Sequence, residues 1–299
     1  MDDFTYFLSQ FVNGLKLGSV YSMVAIGYSM VYGILRLINF AHGDIMTVGV
    51  YTILVLITAF GIPLWVTVAI SLLMAVAVGL AAERIAYRPL RAAGEETTLV
   101  SSLAVSIFLQ NLLVMIFSPQ RKAFHLPDYL SELHQIGTVK LSTMNIITFV
   151  SVFIILALLT YMIKKTRIGM AMRACSDNMN ASKLMGINIT SVVVVAFMIG
   201  SALAALSGLM LAGEYKTIDP LMGFVPGLKA FCAAVLGGIG NLGGAVLGGF
   251  ILGSAEMLFA GLMPTEITPY RDAFVFVVLI TVLLIRPNGI LGHREGGNG

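Results

Sequence analysis

Long apolar stretches recur along the whole chain, separated by short polar segments. They cover 17–35, 45–60, 64–86, 97–117, 143–163, 191–212 and 270–285. Each reads as a membrane-crossing helix. An eighth apolar region, 227–261, is interrupted in its middle by the run GGIGNLGG at 237–244. The pattern predicts an all-α polytopic membrane protein of about eight spans, with broken segments near 37–44 and 237–244 and one transmembrane domain over 1–299. The mildly apolar stretch 4–16 is expected to lie partly on the membrane surface.

The first break reads LINFAHGD and places Asn39, His42 and Asp44 around Gly43. Irregular backbone at membrane depth is tolerated only where protein or a wet cavity covers it, and ionisable groups there mark pathways. Asn39 and His42 are therefore candidates for a translocation path. A short amide such as Asn39 can serve both backbone and substrate. His42 suits a freed backbone carbonyl better than a proton relay, and Asp44 suits a cap on the second span. In the second break, Asn241 is the polar side chain that could line a path. Gly43, Gly237, Gly238, Gly240, Gly243, Gly244 and Gly248 are read as breaking or packing positions. The four-residue spacing of Gly240, Gly244 and Gly248, and of Gly249 and Gly253, permits close helix contact. Two interrupted hairpins in corresponding halves of the chain are a pattern of transporter binding regions. Lys229 and Glu256, inside the second hairpin, must face protein or water.

Composition excludes most other classes. The chain is 58% hydrophobic and 11% charged, against about a quarter charged in a soluble domain. The glycines Gly238, Gly240 and Gly243 match G-x-G-x-x-G, but inside a membrane segment rather than a βαβ unit. No Gly-Lys-Ser/Thr is present to hold phosphate, so the chain itself is expected to bind no nucleotide. Cys175 and Cys232 have no neighbouring His, which argues against a metal site, and no nucleophile–base arrangement points to an enzyme. The start Met1-Asp-Asp-Phe lacks a basic signal region, so the first span is expected to be retained. Glu83 and Arg84 are placed at the interface, Arg271 and Asp272 near the outer surface. The 118–142 segment reads by default as a solvated connector, with contact to a binding protein outside as the alternative.

Charge adds a direction. Arg36, the 84–97 and 164–190 loops and the tail carry 11 of the 18 Lys and Arg, so that side is expected to be cytoplasmic. The 227–261 region must then enter and return. Within the 164–190 loop, Ser176 or Asp177 can cap a short helix and Gly186 can end it. Ala181, Leu184 and Met185 would share its apolar face. A short helix with an exposed apolar face on the cytoplasmic side suits docking to a partner, or rest on the membrane surface.

The same loop is similar to the coupling loop of ABC importer permeases, E-A-A, three residues, then G. Asn180, Ala181 and Ser182 stand at the first three positions and Gly186 at the glycine. Around it, NGLKLGSVY (13–21), INFAHGD (38–44), RPLR (88–91), SIFLQN (106–111), MGIN (185–188), AAVLGGIGNLGGA (233–245) and RPNGILG (286–292) occur in order. Together they resemble the LivH-like permeases of branched-chain amino acid ABC transporters. The resemblance implies a multi-pass subunit of a bacterial inner membrane, with Asn180 to Ser182, Leu184, Met185 and Gly186 coupling it to ATPases. It implies a second, related permease chain, two ATPase subunits that use the ATP, and a periplasmic binding protein, with no cofactor or nucleic acid on this chain. Permeases for urea or short amides share such a core and stay open as an alternative. A self-sufficient ion-coupled transporter would need more intramembrane carboxylates than Glu256.

Overall fold

The computed structural model describes residues 3–91, 93–136 and 139–292. The elements in order are α1 (Asp3–Leu35), α2 (His42–Phe60), α3 (Leu64–Ala82), α4 (Glu95–Phe117), β1 (Lys122–Ala123), α5 (Asp128–Ser131), β2 (Leu133–Ile136), β3 (Val139–Ser142), α6 (Thr143–Lys165), α7 (Arg167–Asp177), α8 (Met179–Leu184), α9 (Ile189–Tyr215), β4 (Thr217–Ile218), α10 (Phe224–Gly237), α11 (Leu242–Leu262) and α12 (Arg271–Ile285). A π-turn (Glu83–Tyr87) and a 3-10 turn (Arg88–Leu90) continue α3. Among the described residues, eight helices are long and apolar enough to cross a membrane, and α10 is a shorter apolar helix. The chain is a polytopic helical membrane protein.

The helix α1 is the most enclosed of the eight. It packs on α11, α9, α10 and α6. Its contact with α11 is close because both surfaces are small. A Cβ on Gly253 would strike the backbone of Gly18, one on Gly249 would strike Ser22, and one on Gly14 would strike Ser254. The Ser22 hydroxyl also donates to the Val246 carbonyl at 2.8 Å. Small residues at four-residue spacing permit this approach in lipid. The opposite face of α11 uses Gly244 and Gly248 in the same way, against Gly237 and Ala233 of α10. Gly243 takes no part, since a Cβ there meets only the Asn241 side chain at ordinary distance.

The two ends of the bundle are tied separately. At one end the Ser176 hydroxyl of α7 donates to the Gly33 carbonyl of α1. Backbone N–H groups of Ile290 and Leu291 donate to Leu236 and Gly237, each at 2.9 Å. At the other end β1 pairs antiparallel with β4. The basic segments around Arg36, 164–190 and 286–292 therefore share one end, as strict alternation of spans requires. The second basic residue of the tail, Arg294, lies outside the described residues.

Three expectations are corrected and one is refined. The stretch 4–16 does not lie on a surface, because it is the first half of a continuous α1. The 118–142 segment is largely exposed, as a solvated connector would be, but it is not irregular. It carries the small β2–β3 hairpin and the β1 strand. The 164–190 loop holds two helices, and Asn178, rather than Ser176 or Asp177, caps the second by accepting from the Ala181 N–H at 2.9 Å. Finally, Glu83 is buried rather than interfacial, and it pairs with Arg91.

Gly253→Val should abolish the α1–α11 contact and with it the recovery of a monodisperse protein in detergent. Gly243→Ala should leave that recovery intact. Size-exclusion profiles of the two variants check this.

Candidate functional site

Two helices begin inside the bundle rather than at its surface. After Leu35 the chain reverses through 36–41, and α2 starts at His42. The His42 ring lies against Gly27, eight residues before the end of α1, or about 12 Å along it at 1.5 Å per residue. The helix α10 starts at the same level. A Cβ on Gly43 would strike the Gly223 carbonyl, and one on Gly223 the Gly43 carbonyl, while Gly227 abuts the Gly43 Cα. Two positive helix ends thus meet in the interior. Only glycines on both sides allow their backbones to approach this closely.

The helix α4 closes this region with a polar face. Thr98, Ser102, Ser106 and Gln110 recur every four residues, the first three of them buried. Ser102 Oγ accepts from the Phe40 N–H at 3.4 Å. Ser106 Oγ donates to Asp44 Oδ2 at 2.5 Å and accepts from Gln110 Nε2 at 3.0 Å. One position over, Ser101 donates to the Ala86 carbonyl in the π-turn at 3.0 Å. That turn also points Tyr87 inward, and its hydroxyl donates to Asn39 Oδ1 at 2.6 Å. A π-turn inside a helix is a common mark of a functional segment. The result is a polar seam from Thr98 to Gln110 on one side and from Asn39 to Asp44 on the other. Tyr28 and His42 rings at 4.6 Å, with Phe231 and Phe40 beyond them, give the region an aromatic wall. The seam is closed in this structure, since Asn39, His42 and Asp44 are buried.

A second polar cluster lies at the other end of α11. Lys229 Nζ reaches Glu256 Oε1 at 2.6 Å and Asp272 Oδ1 at 2.7 Å. The Tyr21 hydroxyl donates to Glu256 Oε2 at 3.0 Å, and Arg271 stands 3.8 Å from Glu256. These contacts join α1, α10, α11 and α12. At the basic end, α8 projects Leu184 and Met185, which are 89% and 83% exposed, beside exposed Asn180 and Ala181. Ser182 is turned inward. Gly186 adopts φ +82°, a left-handed conformation that ends the helix and suits glycine. Burial pushes the nearby Cys175 thiol up, with Ser182 pulling the other way. Among the described residues no group of three His, Cys, Asp or Glu is arranged to hold a metal.

The family model described as "Branched-chain amino acid transport system / permease component" matches residues 10–283. The chain belongs to this family. It is 41% identical to the "High-affinity branched-chain amino acid transport system permease protein BraD" of Pseudomonas aeruginosa, with 99% of each chain covered. It is equally 41% identical to the corresponding LivH protein of Escherichia coli K12, with 98% of each covered. A "Probable branched-chain amino acid transport permease protein LivH" of Methanocaldococcus jannaschii is 28% identical, over 90% of this chain and 88% of the relative. The names of these relatives describe permease proteins of branched-chain amino acid transport.

Within this family frame, each expected site residue has a definite place. Asn39 lies in the seam, with its oxygen held by Tyr87. His42 lies beside it, but its Nε2 meets no backbone carbonyl and has no partner. Asp44 is the acidic residue of the first turn of α2, but its side chain turns to Ser106 rather than to the N–H groups of its own helix end. Asn241 sits away from the seam. It caps α11 by accepting from the Gly244 N–H at 3.1 Å and donates to the Leu291 carbonyl at 2.9 Å. Its amide is thus committed to the second break and the tail. Gly238 and Gly240 turn that break with φ +107° and +89°. The residues that sequence reading missed are Tyr87 and the α4 stripe. The signal for the stripe was available in the four-residue spacing of Thr98, Ser102, Ser106 and Gln110.

Lys229→Met should destabilise the protein by about 3–5 kcal/mol, because it leaves buried carboxylate charge without its closest cation. The double variant Lys229→Met/Glu256→Gln should recover part of that loss. Thermal unfolding in detergent measures both.

Proposed function

We propose that this chain is the membrane-spanning permease subunit of a bacterial ABC importer, and that it moves branched-chain amino acids across the inner membrane. Identity of 41% over nearly the full length to BraD and LivH carries this reading. The partners would be a second, related permease chain, two ATPase subunits and a periplasmic binding protein. The ATPases would use the ATP, and this chain would need no cofactor of its own.

The exposed Leu184 and Met185 of α8 are the contact proposed for an ATPase. Movement of α8 and α7 would reach the bundle through Ser176 and Gly33. The polar seam between α2 and α4 would open to give the passing zwitterion water-like partners. It is suited to that role because hydroxyls and amides close it. Interhelical hydrogen bonds of this kind average about 0.6 kcal/mol in membrane proteins, so each exchanges readily for a substrate or water contact. Affinity would reside in the soluble binding protein, since tight binding in the seam would slow release.

The substrate reading is tested by reconstituting the whole complex with its binding protein and measuring uptake of labelled leucine, isoleucine, valine and urea. Uptake of the three amino acids is expected, and uptake of urea alone would overturn the reading. Gly186→Val tests the coupling role. A β-branched residue is strained at φ > 0, so ATP hydrolysis should continue while leucine uptake falls. Equal transport per ATP in the variant and the wild type would remove α8 from the coupling path.

A further inference from the structure

The described part of this chain buries three carboxylates, and they are not treated alike. Glu256 has Lys229 at 2.6 Å, Arg271 at 3.8 Å and a Tyr21 hydroxyl. Glu83 has Arg91. Among the described residues Asp44 has no cation within ion-pair distance. Its Oδ2 takes the Ser106 hydroxyl, and its Oδ1 has no hydrogen-bond partner among those residues. It is 1% exposed, in the first turn of a helix that starts inside the bundle. An ionised side chain at membrane depth is costly unless paired. The same protein meets that cost with a basic side chain in two places and omits one in the third.

The third place is the polar seam. The Ser106 hydroxyl of α4, itself bonded to the Gln110 amide, covers one oxygen of Asp44, and these are groups that can change partner. His42 Nε2, also buried and unpartnered, belongs to the same turn. Asp44 and His42 thus present unused hydrogen-bonding atoms on one turn, among groups that can exchange.

We infer that Asp44 is the intramembrane contact for the α-ammonium group of the translocated amino acid, with Ser106 and Gln110 holding the carboxylate until the substrate arrives. The positive end of α2 and the meeting end of α10 lie beside it, so a zwitterion presents opposite charges to opposite features of one junction. The aromatic rings of Tyr28, Phe40 and Phe231 leave an apolar side for the branched side chain. The inference rests on the amino-acid reading above. Urea, which has no ammonium group, would have no use for this carboxylate.

The test is uptake of labelled leucine by the complete reconstituted complex with its binding protein. Wild-type uptake is read first, and uptake of urea in place of any amino acid would overturn both the substrate reading and this assignment. With leucine uptake established, Asp44→Asn keeps the side-chain shape and a hydrogen bond to Ser106 but removes the charge. Uptake should fall by about tenfold or more, as expected when one side of a buried charged pair is lost. Asp44→Glu should retain most of it. Co-purification of the ATPase subunits shows that each variant has assembled. Gln110→Lys is an independent variant that offers Asp44 a tethered ammonium in place of the substrate's, and it should also lower uptake by about tenfold. Wild-type uptake by an assembled Asp44→Asn or Gln110→Lys complex would overturn the assignment while leaving the substrate reading intact.

Discussion

A helix can begin inside a bilayer only if protein covers its open end, and the contact of Gly43 with Gly223 and Gly227 provides that cover. Lipid offers no hydrogen-bonding partner to the free N–H groups of a helix start or to the backbone that leads to it. Here two such starts, those of α2 and α10, are placed against each other at about the same depth. Each supplies the wall that the other needs. Any side chain at these glycines would force the two ends apart. The polar residues of 36–44 can be at membrane depth because this contact exists, and α4 then needs a polar face to complete the enclosure.

The treatment of charge follows the same logic. The Lys229, Glu256 and Asp272 cluster is a closed arrangement, in which every buried charge has an opposite charge and Tyr21 supplies a further donor. It ties the half-length α10 to three full helices and so fixes the lower half of the second hairpin relative to α1. The seam at Asp44 is an open arrangement, with neutral partners and unused acceptor capacity. A transport subunit needs both kinds. A wall that moves must be held by groups that exchange partners, and the frame around it must not move.

Much of this was legible in the sequence, and the reasons differ by element. Apolar run length exposed seven of the eight spans, because bilayer thickness sets that length. The breaks at 37–44 and 237–244 were visible because polar and glycine-rich runs inside apolar stretches need an explanation. The end of the short helix α8 was readable from Gly186, since a left-handed residue is most often glycine. What remained hidden depended on tertiary partners. Nothing local says that Asn241 is used by Gly244 and Leu291, or that Asp44 turns from its own helix end to Ser106. Spacing left the Lys229–Glu256 pair open, because 27 residues and a reversal of the chain separate them. The 4–16 stretch is not apolar enough to be recognised as membrane-spanning, and it enters the bundle because the glycines of α11 give it a close-fitting partner. Tyr87 was hidden for a different reason. Its direction depends on a π-turn, which shifts the helix face by one residue and has no composition signature.

The two breaks are mechanically connected through α1. Ser176 of α7 is bonded to the carbonyl of Gly33, and Gly33 lies against Gly240 in the second break. The tail after α12 is bonded to the same turn through Leu236, Gly237 and Asn241. The helices α7 and α8, the end of α1, the second break and the tail therefore form one junction. The first break begins directly after that junction, at 36, and leads within six residues to His42. For the proposed mechanism this geometry matters more than the distance from α8 to the seam. A displacement of α8 need not pass through the packed core of α1, which is stiff and close-fitted to α11. It reaches the end of α1, and the next element along the chain is the non-helical segment that carries Asn39. The seam's polar wall is thus attached directly to the part of the bundle that a partner on the basic side can push.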